Sequence, residues 1–150
     1  MVKSSLFFAF VLFSQLCFSQ IQEPVKWNFS AKKINATTYE IHLNADISGK
    51  WHLYSQTTPD GGPVATTISF SKNPIIITDG SVKEMGSLIV KREDVFDMDV
   101  KYYNQTVDFV QIIKLKANVK TNINATVKYM VCNDKECLPP TTINFKISIN

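Results

Sequence analysis

Apolar and polar residues alternate along most of this chain, and this alternation is the clearest structural signal in the sequence. Every second residue is apolar over 39–47, 125–131 and 143–149, and over 109–119 with the exception of Gln111. A period of two residues turns one side of a strand towards a core and the other towards water. These four segments are therefore predicted to be half-buried β-strands.

Shorter apolar segments complete the predicted set of strands. They span residues 27–31, 51–56, 66–71, 75–78, 88–91 and 97–103. Turn signals separate several of them: Ser48-Gly49, the Pro- and Gly-rich run 59–63, Asn73-Pro74 and Asp79-Gly80. Short strands with turns at this spacing, and no segment of helical period, predict an antiparallel β-sandwich, with a small barrel as the competing architecture.

Composition narrows the class of protein. With 45% hydrophobic and 19% charged residues, the 150-residue chain has the make-up of one globular domain rather than of a disordered segment. The net charge of +3 is small, and Arg92 is the only arginine. A strong nucleic-acid-binding surface is therefore not expected.

The beginning of the chain carries the features of an export signal. Lys3 gives residues 1–20 a positive start, the run 6–13 is entirely apolar, and Ser19 supplies a small residue near the end. This order of features predicts a secretory signal peptide, and the apolar run is too short to cross a membrane. The exported protein is then a single domain over 21–150.

Removal of the signal peptide takes away Cys17 and leaves two cysteines, Cys132 and Cys137. In an oxidising compartment two cysteines tend to form one disulfide. Asn133 and Asp134 between them suit a turn, which lets the two thiols approach each other. We therefore predict a disulfide that closes a small loop.

The residues alone leave the role of this pair open. Closing a loop of about six residues stabilises a fold by only about 2 kcal/mol, which a sandwich of this size should not need. A redox-active disulfide and a passive structural one are equally compatible with that number. Other chemistry has little support, because no Ser-His-Asp set or phosphate loop can be assembled and the cysteine spacing does not suit zinc. His42 and His52 are both predicted to be solvated.

The segment 132–140, Cys-Asn-Asp-Lys-Glu-Cys-Leu-Pro-Pro, resembles the active-site segment of the N-terminal periplasmic domain of the thiol:disulfide interchange protein DsbD. In that family two cysteines a few residues apart are followed by a Pro-Pro pair. Residues 51–56 look like the family's aromatic-Leu-Tyr strand, and the similarity covers roughly residues 24–149. It implies an all-β, immunoglobulin-like antiparallel β-sandwich, in agreement with the alternating pattern.

The resemblance also implies a function. Family members relay electrons from a membrane-embedded thiol reductase to thioredoxin-like proteins of the periplasm, which serve disulfide isomerisation or cytochrome c maturation. Each step is thiol–disulfide exchange through a mixed disulfide, and no cofactor or metal is implied. By resemblance, Cys137 forms the mixed disulfide and Cys132 resolves it. The alternative is an exported immunoglobulin-like binding module with one structural disulfide.

The family further implies a flexible cap loop that shields the cysteines. The region 86–94 matches its position, so Leu88 and Ile89 are the expected shielding residues, with Tyr54 and Pro139 as further neighbours of the pair.

Full-length members of the family continue into a transmembrane domain and a thioredoxin-like domain. We therefore expect either a domain that works in trans with a separate membrane reductase or a stand-alone relative with a changed role.

The immediate surroundings of the cysteines predict weak activation. Neither cysteine begins a predicted helix, and Asp134 and Glu136 offset the charge of Lys135. Both thiols should thus be sluggish until a partner docks.

Overall fold

The computed structural model describes residues 23–149, and all of the regular structure in this part of the chain is β-strand. The strands are β1 (Val25–Lys33), β2 (Thr38–Ile47), β3 (His52–Tyr54), β4 (Thr67–Phe70), β5 (Ile76–Gly86), β6 (Ile89–Glu93), β7 (Met98–Tyr103), β8 (Thr106–Leu115), β9 (Thr121–Tyr129), β10 (Val131–Cys132) and β11 (Thr141–Ile149). Over the same residues there is no helix of the length and hydrophobicity that a membrane span requires. The predicted signal peptide and Cys17 lie outside the described residues.

A four-stranded antiparallel sheet in the order β1-β2-β8-β5 forms one wall of the core. Leu43 at the centre of β2 lies opposite Phe29 of β1 on one side and Phe109 of β8 on the other. All five apolar residues of β2 that the alternation turns inwards are buried, as are Phe109 and Ile113 of β8. The alternation therefore predicted the buried faces of β2 and β8 correctly.

Two further antiparallel sheets, of three and four strands, form the opposite wall, in the orders β11-β9-β4 and β10-β3-β7-β6. Ile123 and Val127 of β9 and Phe145 of β11 join the inward side chains of the first sheet in one hydrophobic cluster. Phe29 and Phe145 stack across the two walls with their ring centroids 4.3 Å apart. Burial of apolar side chains from both walls stabilises such a sandwich, and the predicted architecture is confirmed.

The segment predicted as one strand over 125–131 changes sheets in its course. β9 ends at Tyr129, where it pairs with β11, and after Met130 the chain pairs with β3 of the other sheet as β10. Val127 and Val131 are both buried, so the period of two continues through the change of partner and hides it. This change of sheet brings Cys132 beside β3.

The prediction that Asp79-Gly80 forms a turn at the end of a strand is wrong. β5 runs on to Gly86 and accommodates the pair in a bulge between Asp79 and Lys83, with Gly80 at a φ of 71° that glycine adopts without strain. The side-chain amide of the buried Gln111 donates to the backbone oxygens of Asp79 at 3.0 Å and Gly80 at 3.3 Å. The bulge thereby satisfies the one polar residue that the alternation turned inwards.

β8 also ends earlier than the alternation predicted, at Leu115 rather than at Val119. The last residue pair between β8 and β2 is Lys114 opposite Thr38, where β2 begins. Beyond Lys114, β2 therefore offers β8 no further strand residue for hydrogen bonding. Ala117 and Val119 are consequently exposed.

A carboxylate joins the second wall to the first sheet at the end of β3. Glu84 of β5 accepts hydrogen bonds from the hydroxyl of Ser55 and the backbone N–H of Gln56, both at 2.6 Å, and from the hydroxyl of Tyr103 at 2.8 Å. Burial raises the pKa of Tyr103, and the bond to Glu84 adds to this, so the phenol stays a donor. These bonds fix the chain where it leaves β3.

Candidate functional site

Cys132 and Cys137 are joined by a disulfide that closes a short loop after β10. Asn133 organises the loop, since its side-chain oxygen accepts hydrogen bonds from the backbone N–H groups of Lys135 at 2.8 Å and Glu136 at 2.9 Å. Its own backbone N–H donates to the carbonyl oxygen of Glu136 at 2.9 Å. An Asn side chain commonly reverses the chain in this way. The predicted disulfide and the predicted turn are both present.

The two cysteines differ in exposure. Cys132 ends β10 and is only 2% exposed, whereas Cys137 lies on the surface. The N–H of Leu138 donates to the carbonyl oxygen of Val131 at 3.0 Å, which holds both arms of the loop together. A protein that approaches this surface therefore meets Cys137, while Cys132 is covered.

A cavity of about 350 Å³ lies beside the disulfide. It is lined by His52, Tyr54, Glu93, Val95, Phe96 and the six residues of the loop from Cys132 to Cys137. Of the site residues expected from the sequence, the cavity brings together both cysteines and Tyr54.

Three rings pack against one another at this site. The ring of His52 lies 4.4 Å from that of Tyr102 and meets that of Tyr54 edge-on at 5.3 Å, measured between centroids. Nε2 of His52 and the hydroxyl of Tyr54 are 3.2 Å apart, within hydrogen-bond distance. Burial lowers the pKa of His52 and raises that of Tyr54, so both groups are neutral at pH 7.

The prediction that His52 is solvated is wrong, since it is only 8% exposed. β3 is an inner strand between β10 and β7, and all three of its residues are buried. Leu53 belongs to the main core, while His52 and Tyr54 face the cavity beneath the disulfide loop. A strand covered on both faces does not alternate, so its polar member could not be recognised as buried from the pattern.

The turn between β6 and β7 forms another wall of the cavity. Phe96 meets the ring of Tyr54 edge-on at 6.4 Å, and Val95 at the tip of the turn is 84% exposed. Asp97 has a φ of 52°, uncommon for a residue other than glycine, and Arg92 bonds both its backbone oxygen and its carboxylate. These bonds fix the turn that carries Phe96 against Tyr54.

Among the expected neighbours of the disulfide, Tyr54 lines the cavity, whereas Leu88, Ile89 and Pro139 do not. Leu88 is 43% exposed in the connection before β6 and does not line the cavity, and neither does the exposed Pro139. Ile89 is half-buried and packs with the cluster that includes Cys132. The apolar side chains at the cavity mouth are instead Val95 and Phe96, and the signal for them was two adjacent apolar residues within an acidic turn.

The charges around the cavity are mainly negative. Glu93, Asp134 and Glu136 line it together with the single cation Lys135. Nζ of Lys91 lies 3.5 Å from Oε1 of Glu93, and the charge of Glu93 is the largest cause of the raised pKa of Lys91. Carboxylates near a sulfur disfavour its thiolate, and no helix begins there to offset them. The charges of the cavity therefore do not favour a thiolate, and the weak activation of the pair stays a prediction.

A larger cavity, of about 680 Å³, lies on the outer face of the first sheet and is lined in part by His42. His42 is partly solvated, since its side chain is 25% exposed on this outer face, and its Nδ1 lies 2.7 Å from Oδ2 of Asp108. The two residues are diagonal neighbours on paired strands, since Val110 lies opposite His42 and Asn44 lies opposite Asp108, and a single-strand pattern does not reveal this. Across residues 23–149, no three His, Cys, Asp or Glu side chains are grouped so that they could hold a metal ion.

Comparison with known protein families gives one match. The model for the thiol:disulfide interchange protein DsbD, N-terminal, matches residues 19–149, a range that includes every strand and the disulfide loop. None of the curated proteins matches the sequence.

Three solved structures share the fold. The reduced DsbD N-terminal domain of Neisseria meningitidis is 12% identical with a TM-score of 0.57, over 85% of this chain and 86% of that one. The N-terminal periplasmic domain of ScsB from Proteus mirabilis is 15% identical with a TM-score of 0.59, over 85% of this chain and 47% of that one. A structure of the complex between the DsbD and PilB N-terminal domains of Neisseria meningitidis is 11% identical with a TM-score of 0.51, over 85% of this chain and 87% of that one. The expected immunoglobulin-like sandwich is confirmed.

Proposed function

This chain belongs to the family of DsbD N-terminal domains, which are thiol–disulfide interchange domains, and we propose from this that its Cys132–Cys137 disulfide is redox-active and relays electrons between proteins. The observation that carries the proposal is the pairing of an exposed Cys137 with a buried Cys132 in one surface loop. Exchange requires one sulfur that a partner can reach and a second that is held beside it.

The exposures of the two cysteines support a division of roles. In the reduced chain, the thiolate of Cys137 attacks a disulfide of the partner, forms a mixed disulfide and releases one partner sulfur as a thiol. Cys132 then attacks the sulfur of Cys137 and releases the second partner sulfur. The chain ends with its internal disulfide, and the partner has gained two electrons and two protons.

We assign the partners by family membership. A membrane-embedded thiol reductase restores the reduced pair, and thioredoxin-like proteins receive the electrons for disulfide isomerisation or cytochrome c biogenesis. Support comes from a domain of similar fold, the DsbD N-terminal domain, which has been solved in a complex with the PilB N-terminal domain.

We assign the shielding of the disulfide to Val95 and Phe96 rather than to Leu88 and Ile89. Both side chains line the cavity beside the cysteines, and Phe96 packs on Tyr54. Val95 is almost fully exposed, so a docking protein meets it first. In this proposal the partner displaces the turn and uncovers the cavity beside the disulfide, while Cys137 is exposed from the start.

We place the protein in the periplasm, with residues 1–20 removed as a signal peptide and 21–150 as the mature domain. The charged start and apolar run of residues 1–20 support export. The similar ScsB domain is described as periplasmic.

Mild reduction separates a relay disulfide from a structural one. In exported protein, intact mass after alkylation should show removal of residues 1–20 and no free thiol until a mild dithiol is added. The dithiol should then reduce the disulfide at neutral pH while the chain stays folded, because Cys137 is exposed and the loop adds only about 2 kcal/mol to stability. The far-UV circular dichroism spectrum reports the fold in the same sample. A disulfide that is reduced only when the protein unfolds would support the structural alternative.

A further inference from the structure

His52 and Cys132 lie directly opposite each other on paired strands. The antiparallel register of β3 and β10 sets Cys132 against His52 and Val131 against Leu53. Opposite residues in such a pair share a face, with their Cβ atoms about 4.5–5.5 Å apart. Both side chains also line the same cavity. The imidazole and the sulfur of Cys132 therefore lie on the same face of the sheet, at the same cavity.

Resolution of a mixed disulfide sets a problem for a cysteine in this position. The attacking species is the thiolate, and an ordinary thiol, with a pKa of about 8.5, is mostly protonated at neutral pH. Cys132 is nearly fully buried, and Glu93 and Asp134 bring negative charge to the same cavity. Burial and nearby carboxylates both disfavour a thiolate, so its proton needs an acceptor.

We propose that His52 accepts the proton of the Cys132 thiol when Cys132 resolves the mixed disulfide. The proton passes from Sγ of Cys132 to the imidazole, and the thiolate attacks Sγ of Cys137. The bond between Cys137 and the partner breaks, and its electron pair leaves on the partner's sulfur. The imidazolium then returns the proton to that sulfur or to water. This role rests on the proposed relay function.

The groups that face His52 keep it in the form that accepts a proton. Burial is the largest influence and lowers its pKa, Lys91 of β6 lowers it further, and Glu93 and Asp134 raise it. The rings of Tyr54 on β3 and Tyr102 on β7 also pack against His52. The outcome is a neutral imidazole at pH 7.

Tyr54 adds a hydrogen bond that suits both forms of the imidazole. Its hydroxyl lies 3.2 Å from Nε2 of His52 and can either donate to a bare nitrogen or accept from a protonated one. The ring can therefore gain and lose a proton without losing this bond.

Reaction of the reduced protein with one equivalent of the aromatic disulfide 5,5′-dithiobis(2-nitrobenzoate) measures the two steps separately. Attack by Cys137 releases one nitrothiobenzoate in a first phase, and resolution by Cys132 releases a second. Both phases are followed by absorbance in stopped flow between pH 6 and pH 9. The variants are His52→Phe, which keeps an aromatic ring beside Tyr102, and His52→Gln. His42→Gln, which changes the chain's only other histidine on the other sheet, is the matched control.

The second phase should respond to His52. At pH 7 both His52 variants should slow it by at least about tenfold, at the low end of the effect of a positioned base. In the variants its rate should rise about tenfold per pH unit up to at least about pH 8.5, the ordinary pKa of an unassisted thiol. The wild-type protein and His42→Gln should show a flatter profile. The first phase should change less than about twofold, because Cys137 is reached from solvent.

Equal second phases with equal pH profiles in the wild-type protein and both His52 variants would overturn the role of His52 and leave the relay intact. If the wild-type protein gives no second phase at all, the relay itself fails. A circular dichroism spectrum of each variant verifies that it is folded, and two variants of different shape guard against a loss of packing at this site.

Discussion

Replacement of Cys132 by serine should leave the chain covalently joined to a thioredoxin-like partner. Cys137 is exposed and still able to exchange with a partner disulfide, but the neighbouring sulfur that would release the adduct is gone. The fold should survive, because this short loop contributes only about 2 kcal/mol. A non-reducing gel of periplasmic extract, with mass spectrometry of the shifted band, measures the adduct.

Cys137→Ser is the matched control, because it also removes the disulfide but leaves only the buried Cys132. This variant should form little or no adduct. If both variants stay folded and trap nothing, or if Cys132 traps the partner as well as Cys137 does, the assignment of roles is wrong.

A Phe109→Ala substitution should cost the fold about 3–5 kcal/mol of unfolding free energy. Phe109 is fully buried at the centre of β8 and packs against Trp27 at 5.8 Å between ring centroids. Truncation leaves a cavity between the two walls that the surrounding strands cannot fill. Equilibrium denaturation in urea measures the loss.

Lys114→Ala on the same strand is the control for that substitution. Lys114 points outwards and pairs with Asp79 at 2.7 Å where both side chains are largely exposed, so its loss should change the unfolding free energy by less than about 1 kcal/mol. Similar losses for Phe109→Ala and Lys114→Ala would contradict the assignment of the buried face of β8.

The sequence predicted well those strands that turn one face towards the core and the other face away from it. In β2, Tyr39 to Ile47 alternate without interruption, and the strand lies between two neighbours with its other face exposed to a varying degree. The change of sheet at Met130 was not predictable, because a local pattern records which side is buried and not which strand is adjacent. Asp79-Gly80 resembled a turn for the same reason, because the local sequence does not show that β5 continues to pair with β8 beyond it.

From the residues alone the candidate site was predictable only where its members are close in sequence, whereas Tyr54 was expected from the family resemblance. Cys132 and Cys137 stand in one segment with its own turn, so the disulfide followed from the residues around it. His52 and Phe96 reach the same cavity from segments roughly 80 and 40 residues away, through the pairing of β3 with β10 and β7. Long-range pairing of this kind leaves no local signal.

Electron transfer to the partner is the most direct test of the relay. The reduced wild-type chain is mixed with the oxidised thioredoxin-like protein that Cys132→Ser captures. The reaction is quenched with acid, free thiols are alkylated, and the intact masses of both proteins are measured by mass spectrometry. We predict that the partner gains two alkylated thiols as Cys132 and Cys137 lose theirs, at neutral pH and without a cofactor. A partner that stays oxidised while the chain keeps both thiols would contradict the account.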